Sequence, residues 1–375
     1  MRQIITACHL SKMSSSFGGG NFIASLLDLE NKIKSMNNRN KMVYVFYENT
    51  SACSWAKRMI QEGKNIYFIK KKKLIGFKIL KNILEDNYVN ILHLHYTIPI
   101  KMLVLIKLFM PNIRIVVHWH MFAPSSPNSF RRKTKKTVLC CLYNIIIDMI
   151  CGVSEDVYNG LIKWGIQEKK CCYIDNGIVF SRLDTRHEDK KQVYYTQNKV
   201  VIMIYGTNFY IKGVDVAINA LKNIATKNNI ILMIVCEDNE LVLKQIKKIL
   251  SYIPDWIITV PCQENIAFYY RMSNLYLAVS RKEGFMCTIL ESIYLGTPVI
   301  RSDNPSMNRN IPNEIVIPAD DAFALQQAIL SFLNDKNDKS AILERQKNYI
   351  ISKWNIDIWS KNISDMYLEL IENNL

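Results

Sequence analysis

The chain has 375 residues, 49% of them hydrophobic and 22% charged, which is typical of a globular protein large enough for two domains. No stretch of about 18 residues is free of polar side chains, which argues against a transmembrane helix, and the first residues lack the apolar core of a signal peptide. The net charge of +15 is uneven: residues 1–182 hold 27 Lys and Arg against 11 Asp and Glu, whereas residues 183–375 hold 21 against 22.

Basic residues of the first half gather in two short runs, IKKKK at residues 69–73 and RRKTKK at residues 131–136. Such runs suit anionic partners, namely lipid headgroups, nucleic acid or polyphosphates, and they are equally common on a face that only water covers. Nucleic acid is the weakest of these alternatives, because the sequence contains no recognised nucleic-acid-binding module. The asymmetry between the two halves favours an anionic partner for the first half.

Ten cysteines include two adjacent pairs, Cys140 with Cys141 and Cys171 with Cys172, but no CxxC spacing. A zinc knuckle needs such spacing, and neighbouring cysteines rarely bridge each other. We therefore expect reduced thiols in a cytoplasmic protein, packed mostly as small hydrophobic side chains.

Short apolar runs alternate with helical segments through the first half. After the opening run MRQIITACHL and a serine- and glycine-rich loop, buried strands are predicted at residues 41–47, 89–95 and 112–120, and the segments IIDMICGVS and KCCYIDNG continue the pattern. Residues 138–153 are interrupted by Asn144 and Asp148, which favours a buried helix over a membrane span. The alternation predicts a parallel sheet covered by helices.

The pattern restarts after a polar segment at residues 180–199, which is predicted to be a linker. Further buried strands are predicted, each preceded by a helical segment or loop, at residues 198–206, 230–237, 255–261 and 275–280. Two domains follow, at residues 1–185 and 190–355. The pattern of residues 354–375 predicts an amphipathic helix, and residues 356–375 of this helix are expected to pack on the N-terminal domain. The predicted apolar side of this helix carries Trp359, Ile363, Met366 and Leu370.

Ligands of open α/β sheets bind beyond the carboxyl ends of the strands, so the loops after the strands are the places to search. One such loop is GTNFYIKG at residues 206–213, in which Gly206 permits a close turn and Lys212 offers a cation just before a helix. A glycine-lined loop, helix-start amides and one positive charge together predict a polyphosphate site.

A second loop leads into EGFMCTILESIYLGTPVI at residues 283–300. Its backbone amides at residues 285–288 lie where a helix begins and can bind an anion. Glu283 precedes them, and Glu291 lies among isoleucines and leucines, where a carboxylate needs a partner. Carboxylates accept hydrogen bonds, so vicinal sugar hydroxyls are natural ligands for both. Gly296 and Pro298 are predicted to end the helix.

Two histidine pairs, HLH (His93 and His95) and HWH (His118 and His120), have the spacing of side chains on one face of a strand. Each pair could supply two ligands to a metal ion, but no cysteine or carboxylate cluster accompanies them, and the sequence has no Asp-x-Asp motif. We therefore expect no metal, with His95 and His120 lining the ligand site and His118 in a structural role.

Glu283 and Glu291, separated by seven residues, resemble the Glu-x7-Glu signature of retaining glycosyltransferases of family 4, which have the GT-B fold. Other segments match that family in order: the glycine-rich loop GGGNFIASLLDLE, the strand VVHWH that ends at His120, the closing segments VSEDVYNGLIKWGI and YIDNGI, and the donor-phosphate loop IYGTNFYIKGVDVAINAL. The resemblance runs over residues 18–311 and implies an α/β protein with two doubly wound, Rossmann-like domains that face each other across a cleft.

The resemblance also implies a nucleotide-diphospho-sugar as co-substrate and no other cofactor. Lys212 is expected to contact the diphosphate, Glu291 the ribose hydroxyls and Glu283 the hydroxyls of the transferred sugar, which His120 approaches from the first domain. Catalysis by His120, Lys212 and Glu283 is expected to rest on charge stabilisation and positioning. The implied donor-binding residues are Gly206, Thr207, Lys212, Glu283, Gly284, Phe285, Met286, Cys287, Thr288 and Glu291. The implied acceptor-side residues are Gly19, Gly20, His95 and His120.

Three segments depart from the family pattern. Thr207 stands where a basic residue usually follows the loop glycine, so one of two phosphate cations is absent unless Arg281 or Lys282 replaces it. Met286 and Cys287 occupy positions that are often small, and NPSMNRN at residues 304–310 replaces an acidic residue.

The function implied by the resemblance is metal-independent, retaining transfer of a hexose to a glycan or polyprenyl-linked acceptor, in the synthesis of bacterial capsule, O-antigen or exopolysaccharide. The alternative is a non-catalytic GT-B subunit that positions a partner glycosyltransferase, which Thr207 favours and the retained Lys212, Glu283 and Glu291 oppose. The basic first half, with IKMLVLIKLFM at residues 100–110 as an amphipathic contact, suits attachment of a cytoplasmic protein to anionic lipid at the inner face of the cell membrane. No nucleic-acid partner is expected.

Overall fold

The computed structural model describes residues 4–11, 20–70, 73–96, 99–122, 130–184, 198–263, 266–307 and 310–372, except for the side chains of residues 73–75 and 130–133. The chain divides into two compact units. The first unit comprises Met1–Gly177 together with Ile356–Leu375, and the second unit comprises Ile178–Asn355.

The first unit contains a parallel seven-stranded sheet whose order is β3-β2-β1-β4-β5-β6-β7. Strands β1, β4 and β5 are almost entirely buried, as apolar strands covered by helices on both faces should be. The strands are β1 (Thr6–Ser11), β2 (Lys41–Tyr47), β3 (Ile66–Ile69), β4 (Ile91–His95), β5 (Arg114–Trp119), β6 (Met149–Gly152) and β7 (Cys171–Tyr173). The helices between them are α1 (Gly20–Met36), α2 (Ser54–Gln61), α3 (Lys73–Asp86), α4 (Ile100–Phe109), α5 (Phe130–Ile146) and α6 (Glu155–Trp164).

The second unit contains a parallel six-stranded sheet whose order is β10-β9-β8-β11-β12-β13. Its strands are β8 (Val200–Tyr205), β9 (Ile230–Cys236), β10 (Ile257–Pro261), β11 (Leu275–Ala278), β12 (Val299–Ser302) and β13 (Ile315–Ile317). Its helices are α7 (Val214–Leu221), α8 (Asn239–Leu250), α9 (Ala267–Met272), α10 (Cys287–Tyr294), α11 (Ala322–Asn334) and α12 (Ser340–Trp354). Asp238 and Asp321 cap α8 and α11 by accepting hydrogen bonds from first-turn amides.

The last helix, α13 (Ile356–Glu372), belongs to the first unit, where it packs against α1. The hydroxyl of Ser360 on α13 donates a hydrogen bond to Asp28 on α1. Gly177 fits where the first unit meets this helix, because a Cβ there would lie 2.6 Å from the Cβ of Trp359. The predicted apolar side of α13 is confirmed, since its four predicted residues are all buried: Trp359, Ile363, Met366 and Leu370.

Both sheets have the strand order of a doubly wound fold, in which the order reverses at one point. The reversal falls between β1 and β4 in the first unit and between β8 and β11 in the second. The predicted fold class of doubly wound α/β units is thereby confirmed. The carboxyl ends of these four strands are the positions at which such sheets bind ligands.

The structure corrects two predictions of secondary structure. The helix predicted over residues 138–153 is too long: it ends at Ile146, and Met149–Gly152 form strand β6, which lies within the segment IIDMICGVS that was also assigned to the strand pattern. An apolar run of this length fits either element. Strands β3 and β13 were missed: each has only three or four residues and is incompletely buried, so neither shows a clear periodicity. Helix α10 ends as predicted, with Gly296 in a left-handed conformation (φ +80°) before β12 begins.

Candidate functional site

The loop that follows β8 is a compact turn held by its own backbone. The amide of Lys212 donates to the carbonyl of Asn208 at 3.0 Å, and that of Val214 donates to Phe209 at 3.1 Å. Two positions accept only glycine. A Cβ on Gly206 would lie 2.6 Å from Ile234, and one on Gly213, whose φ is +71°, would lie 2.3 Å from the carbonyl oxygen of Val279.

Arg281 fastens this loop to the end of β11. Its guanidinium donates two hydrogen bonds of 2.8 Å to the carboxylate of Asp215 on α7, and it also bonds Asp320 and the carbonyl of Tyr210. The hydrogen bonds to Asp215 raise the pKa of Arg281 although burial opposes them, so the guanidinium stays charged. The sequence left Arg281 and Lys282 open as replacements for the second phosphate cation. Arg281 instead binds two carboxylates, those of Asp215 and Asp320. Lys282 is exposed.

Lys212 and Glu283 form an ion pair at the carboxyl edge of the second sheet. The Lys212 Nζ lies 2.6 Å from a carboxylate oxygen of Glu283, and the two side chains are only 21% and 13% exposed. The sequence predicted both residues for this site but did not predict that they would pair. A partly buried cation and anion in contact can each exchange its partner for a phosphate and a hydroxyl group, respectively.

The start of α10 lies immediately after this pair. Gly284, Phe285 and Met286 are buried, and the helix begins at Cys287 with no side-chain cap. The amides of a helix start carry partial positive charge, so this position suits an anion. The buried side chains of Phe285 and Met286 leave only their backbone available to a ligand.

Glu291 is buried, with 5% of its surface exposed, so a solvent-facing position on α10 is excluded. Its partner is Arg182, which lies in a short 3₁₀ helix, Phe180–Leu183, at the start of the second unit and forms a salt bridge with it. Tyr294 and Arg271 hold the same segment by hydrogen bonds to Asp184 and to the carbonyl of Leu183. The sequence indicated that Glu291 needed a partner but gave no sign of which residue supplied it.

Three tyrosines surround the carboxylates. Tyr276 donates to Thr288 Oγ1 at 2.9 Å, and Tyr270 donates to the Thr288 carbonyl at 3.2 Å. Burial raises the pKa of Tyr276, and the charges of both Glu283 and Glu291 raise it further, which places this phenol near both carboxylates. Burial and Glu291 likewise raise the pKa of Tyr205, the last residue of β8. Sequence reasoning missed this cluster, although tyrosines inside buried strands signal a need for polar partners.

Thr207 lies beside the end of β10, where its hydroxyl is hydrogen-bonded to the Cys262 thiol. Burial raises the pKa of Cys262 to about 12, so the thiol is neutral and the pair adds no charge. The position that usually carries the second phosphate cation is therefore polar and uncharged in this chain.

The first unit contains five histidines on one face of its sheet, at the strand-order reversal. His95 and His118 are register partners on β4 and β5, and their rings are stacked at 5.6 Å. All members except His120 are buried, and His120 is half-buried. We call this group the histidine cluster; its members are His9, His93, His95, His118 and His120.

A chain of hydrogen bonds runs through the cluster. His120 Nε2 lies 3.0 Å from His95 Nδ1, and His95 Nε2 lies 2.9 Å from His9 Nδ1. The hydroxyl of Tyr367 on α13 then bridges His9 Nε2 at 3.1 Å and His93 Nδ1 at 2.6 Å. Burial lowers the pKa of His9 and that of His118 to about 3, and it lowers the pKa of the other three well below 6.5. The imidazoles are therefore neutral at neutral pH.

His95 cannot line a ligand site directly, because its side chain is fully buried. Toward a sugar it can act only through its hydrogen bond to His120, which makes it a positioning residue for that ligand. Two aromatic residues that the sequence did not flag cover His120: Phe22 meets its ring edge-on at 5.8 Å, and Tyr96 stacks on it at 4.3 Å with a positive φ of 57°. Gly20 begins α1 and is exposed, and Gly19 lies outside the described residues.

The second unit thus brings together most of the predicted donor residues at one sheet edge. A glycine-bounded loop, a lysine, a helix start and two carboxylates can bind a phosphorylated, hydroxyl-rich ligand by charge and by hydrogen bonding. The first unit brings His95, His118 and His120 together in one neutral cluster.

Residues 185–349 match the model of a protein family described as "Glycosyl transferases group 1". An uncharacterized glycosyltransferase of Methanocaldococcus jannaschii, MJ1069, is 23% identical over 235 residues, which cover 60% of this chain and 58% of that protein. The lipopolysaccharide core biosynthesis mannosyltransferase LpsB of Rhizobium meliloti is 29% identical over 109 residues, covering 26% of this chain and 31% of that protein. The chain thus spans well under two thirds of the length of these relatives.

Solved structures resemble the whole chain. The crystal structure of Anabaena Alr3699/HepE in complex with UDP-glucose matches with a TM-score of 0.77 at 15% identity, covering 96% of this chain and 99% of that one. At this level of identity the likeness shows the fold, which is GT-B.

Proposed function

We propose that this chain, whose residues 185–349 match the group 1 glycosyl transferases, transfers a hexose from a nucleotide-diphospho-sugar to a glycan or polyprenyl-linked acceptor, with retention of configuration and without a metal. The observation that carries this proposal is the Lys212–Glu283 pair beside the start of α10, with Glu291 inside the same helix. These are the charges that a diphosphate and two sugars require.

In the proposed complex the diphosphate displaces Glu283 from Lys212 and accepts hydrogen bonds from the first-turn amides of α10. Glu283 then accepts hydrogen bonds from hydroxyls of the transferred sugar, and Glu291, held by Arg182, accepts them from the ribose. Charge that develops on the leaving diphosphate is stabilised by Lys212 and the helix start. His120, oriented by His95, approaches the sugar from the first unit.

The donor can be identified by thermal unfolding of the chain with panels of UDP-, GDP- and CDP-sugars. We expect one nucleotide class to raise Tm, because a ligand that binds only the folded state stabilises it by mass action. Glu291→Gln should diminish that rise. Glu314→Gln is a matched control, since it breaks a similarly buried ion pair with Arg301 in the same unit, and it should keep the rise. No rise with any class would contradict the proposal.

A non-catalytic role as a partner-positioning subunit makes a different prediction. Such a subunit can still bind a nucleotide sugar, but it releases no nucleoside diphosphate from it. The test uses the nucleotide sugar that raises Tm most in the panel. Slow release of nucleoside diphosphate from it, by hydrolysis without any acceptor, would show an enzyme, and no release would indicate a non-catalytic subunit.

We also propose that the first unit docks on anionic lipid, which would bring the chain to a lipid-linked acceptor in the synthesis of a bacterial surface polysaccharide. Helices α4 and α5 pack side by side and expose apolar residues. Leu108 is 70% exposed on α4, and Ile145 is 75% exposed on α5, which also carries the basic run at residues 131–136. Apolar side chains beside positive charge are typical of peripheral membrane contacts. Among the described residues, no helix is long and apolar enough to cross a bilayer.

Flotation with vesicles tests this surface. The chain should float with anionic vesicles and far less with neutral ones, and Leu108→Ser with Ile145→Ser should weaken binding about tenfold or more, since burying each side chain is worth about 1.5–3 kcal/mol. Phe323→Ser with Leu241→Ser, which removes exposed apolar residues of the second unit, should leave binding unchanged. Equal binding to both kinds of vesicle would overturn the electrostatic part of the proposal.

A further inference from the structure

The histidine cluster contains ring nitrogens that no protein atom satisfies. His118 is 2% exposed, and among the described residues neither of its ring nitrogens has a hydrogen-bond partner. The Nε2 atom of His93 is in the same situation. Buried polar atoms without partners are rare, because each loses its hydrogen bonds to water without replacement. A neutral imidazole has one N–H and one lone pair, so His118 in particular presents a buried lone pair that a ligand could bind.

The geometry of three imidazoles fits a metal ion. His95, His118 and His120 can each offer one ring nitrogen such that all three atoms lie within 4.8 Å of one another. One pair of these nitrogens, His95 Nδ1 and His120 Nε2, is separated by 3.0 Å. A tetrahedral zinc ion with Zn–N bonds of about 2.0–2.1 Å holds its ligand nitrogens about 3.3 Å apart. Small rotations of these side chains therefore suffice to admit an ion.

We propose that His95, His118 and His120 form a binding site for a divalent first-row transition metal ion, with Zn²⁺ as the reference case. Neutral imidazoles without carboxylates select zinc, cobalt, nickel or copper over magnesium and calcium, which prefer oxygen ligands. Three imidazoles converge among the described residues, and a fourth position on the ion can be taken by water or an anion. His120 is half-buried, so an ion can enter from its side of the cluster.

The rest of the cluster supplies the supporting hydrogen bonds. With His95 Nδ1 on the ion, its Nε2–H donates to His9 Nδ1, the Nε2–H of His9 donates to the Tyr367 hydroxyl, and that hydroxyl donates to His93 Nδ1. Every tautomer along this chain is then fixed. Ligating histidines usually donate their second N–H in this way, which orients the ring and raises its basicity.

The site is separate from the donor residues of the second unit, and its existence does not depend on the proposed function. One residue is shared: His120 approaches the sugar in that proposal, so an ion on His120 Nε2 would compete with the sugar. Binding experiments without any nucleotide sugar therefore test the metal site alone, whatever the outcome for sugar transfer.

Calorimetric titration of the metal-free, tag-free chain with Zn²⁺ is the primary test. We expect one ion per chain with micromolar or tighter affinity, and no binding of Mg²⁺. The Co²⁺ form should show the visible absorption of a tetrahedral site without a thiolate-to-metal charge-transfer band. A thiolate band would place the ion on the cysteines, and Zn²⁺ binding that does not saturate would show that no defined site exists; either result would overturn the proposal.

Variants assign the ligands. His118→Ala and His120→Ala should each abolish binding, and His9→Phe, which removes a supporting hydrogen bond, should weaken it about 10- to 100-fold. His187→Ala removes the sixth histidine, which lies outside the described residues, and should bind as the wild type does. Equal affinities for His120→Ala and His187→Ala would overturn the assignment. Circular dichroism shows which variants fold. If His118→Ala does not fold, His120→Ala still tests the assignment, because His120 is only half-buried.

Discussion

Replacing Lys212 by methionine is expected to lower the rate of donor cleavage about 100- to 1,000-fold, the range seen when one preorganised charge or hydrogen-bond donor is removed from a developing anion. Lys212 lies beside the start of α10 through its contact with Glu283, and the site has an uncharged threonine where a second cation usually stands. Loss of Lys212 therefore removes the cation assigned to the leaving diphosphate and leaves the helix amides to stabilise it. The rate of nucleoside diphosphate release measures the effect.

Glu283→Gln should lower the same rate by a similar factor, because the amide keeps the size of the side chain but loses the negative charge. The double variant should lose little beyond either single variant, since both changes disrupt one ion pair. Lys227→Met, which removes an exposed lysine of the same unit, should retain the wild-type rate. Rates within threefold of wild type for Lys212→Met would exclude the proposed role of the pair.

The stability of the chain should fall steeply when the pH is lowered from 7 to 5. An unfolded chain protonates its histidines near pH 6.5, whereas burial lowers the folded-state pKa of His9 and His118 to about 3. Above pH 6.5 neither state binds these protons. Below it only the unfolded state does, so stability is lost progressively until the pH reaches the folded-state values. Each of these two histidines should cost about 2 kcal/mol between pH 7 and pH 5.

Urea unfolding at pH 7 and pH 5 measures this loss. His118→Leu removes one of the two groups at nearly constant volume, so its loss between the two pH values should be smaller than that of the wild type by about 2 kcal/mol. Val116→Ala creates a cavity on the same face of β5 without removing a titrating group, and it should lower stability equally at both pH values. The same pH dependence in His118→Leu and the wild type would show that His118 is not held neutral.

The candidate donor site of the second unit was largely predictable from local sequence. Gly206, Lys212 and Glu283 occupy loops that directly follow buried strands, and strand-following loops of parallel sheets converge at one edge. What could not be predicted was pairing over long sequence distances. Nothing in the residues around Arg182 indicates that it meets Glu291, which follows it by 109 positions.

The histidine cluster shows the same limit in the first unit. The i, i+2 spacing of HLH and HWH correctly placed each pair on one face, but the register that brings the pairs together, and adds His9, depends on strand order. The expectation of a metal-free chain rested on the lack of nearby carboxylates or thiols in the sequence. No structural observation decides it, so it stays a prediction, which the titration with Zn²⁺ tests.

The position of helix α13 in the sequence determines the order in which the two units can finish folding during synthesis. The first unit needs this helix. Tyr367 of α13 forms hydrogen bonds with two histidines of the first unit, and Trp359, Ile363 and Met366 of α13 are buried. The second unit is continuous from Ile178 to Asn355, so its residues have all been translated before α13 exists. The first unit is therefore completed only after the whole second unit has been translated, and its histidine face stays uncovered until α13 has left the ribosome.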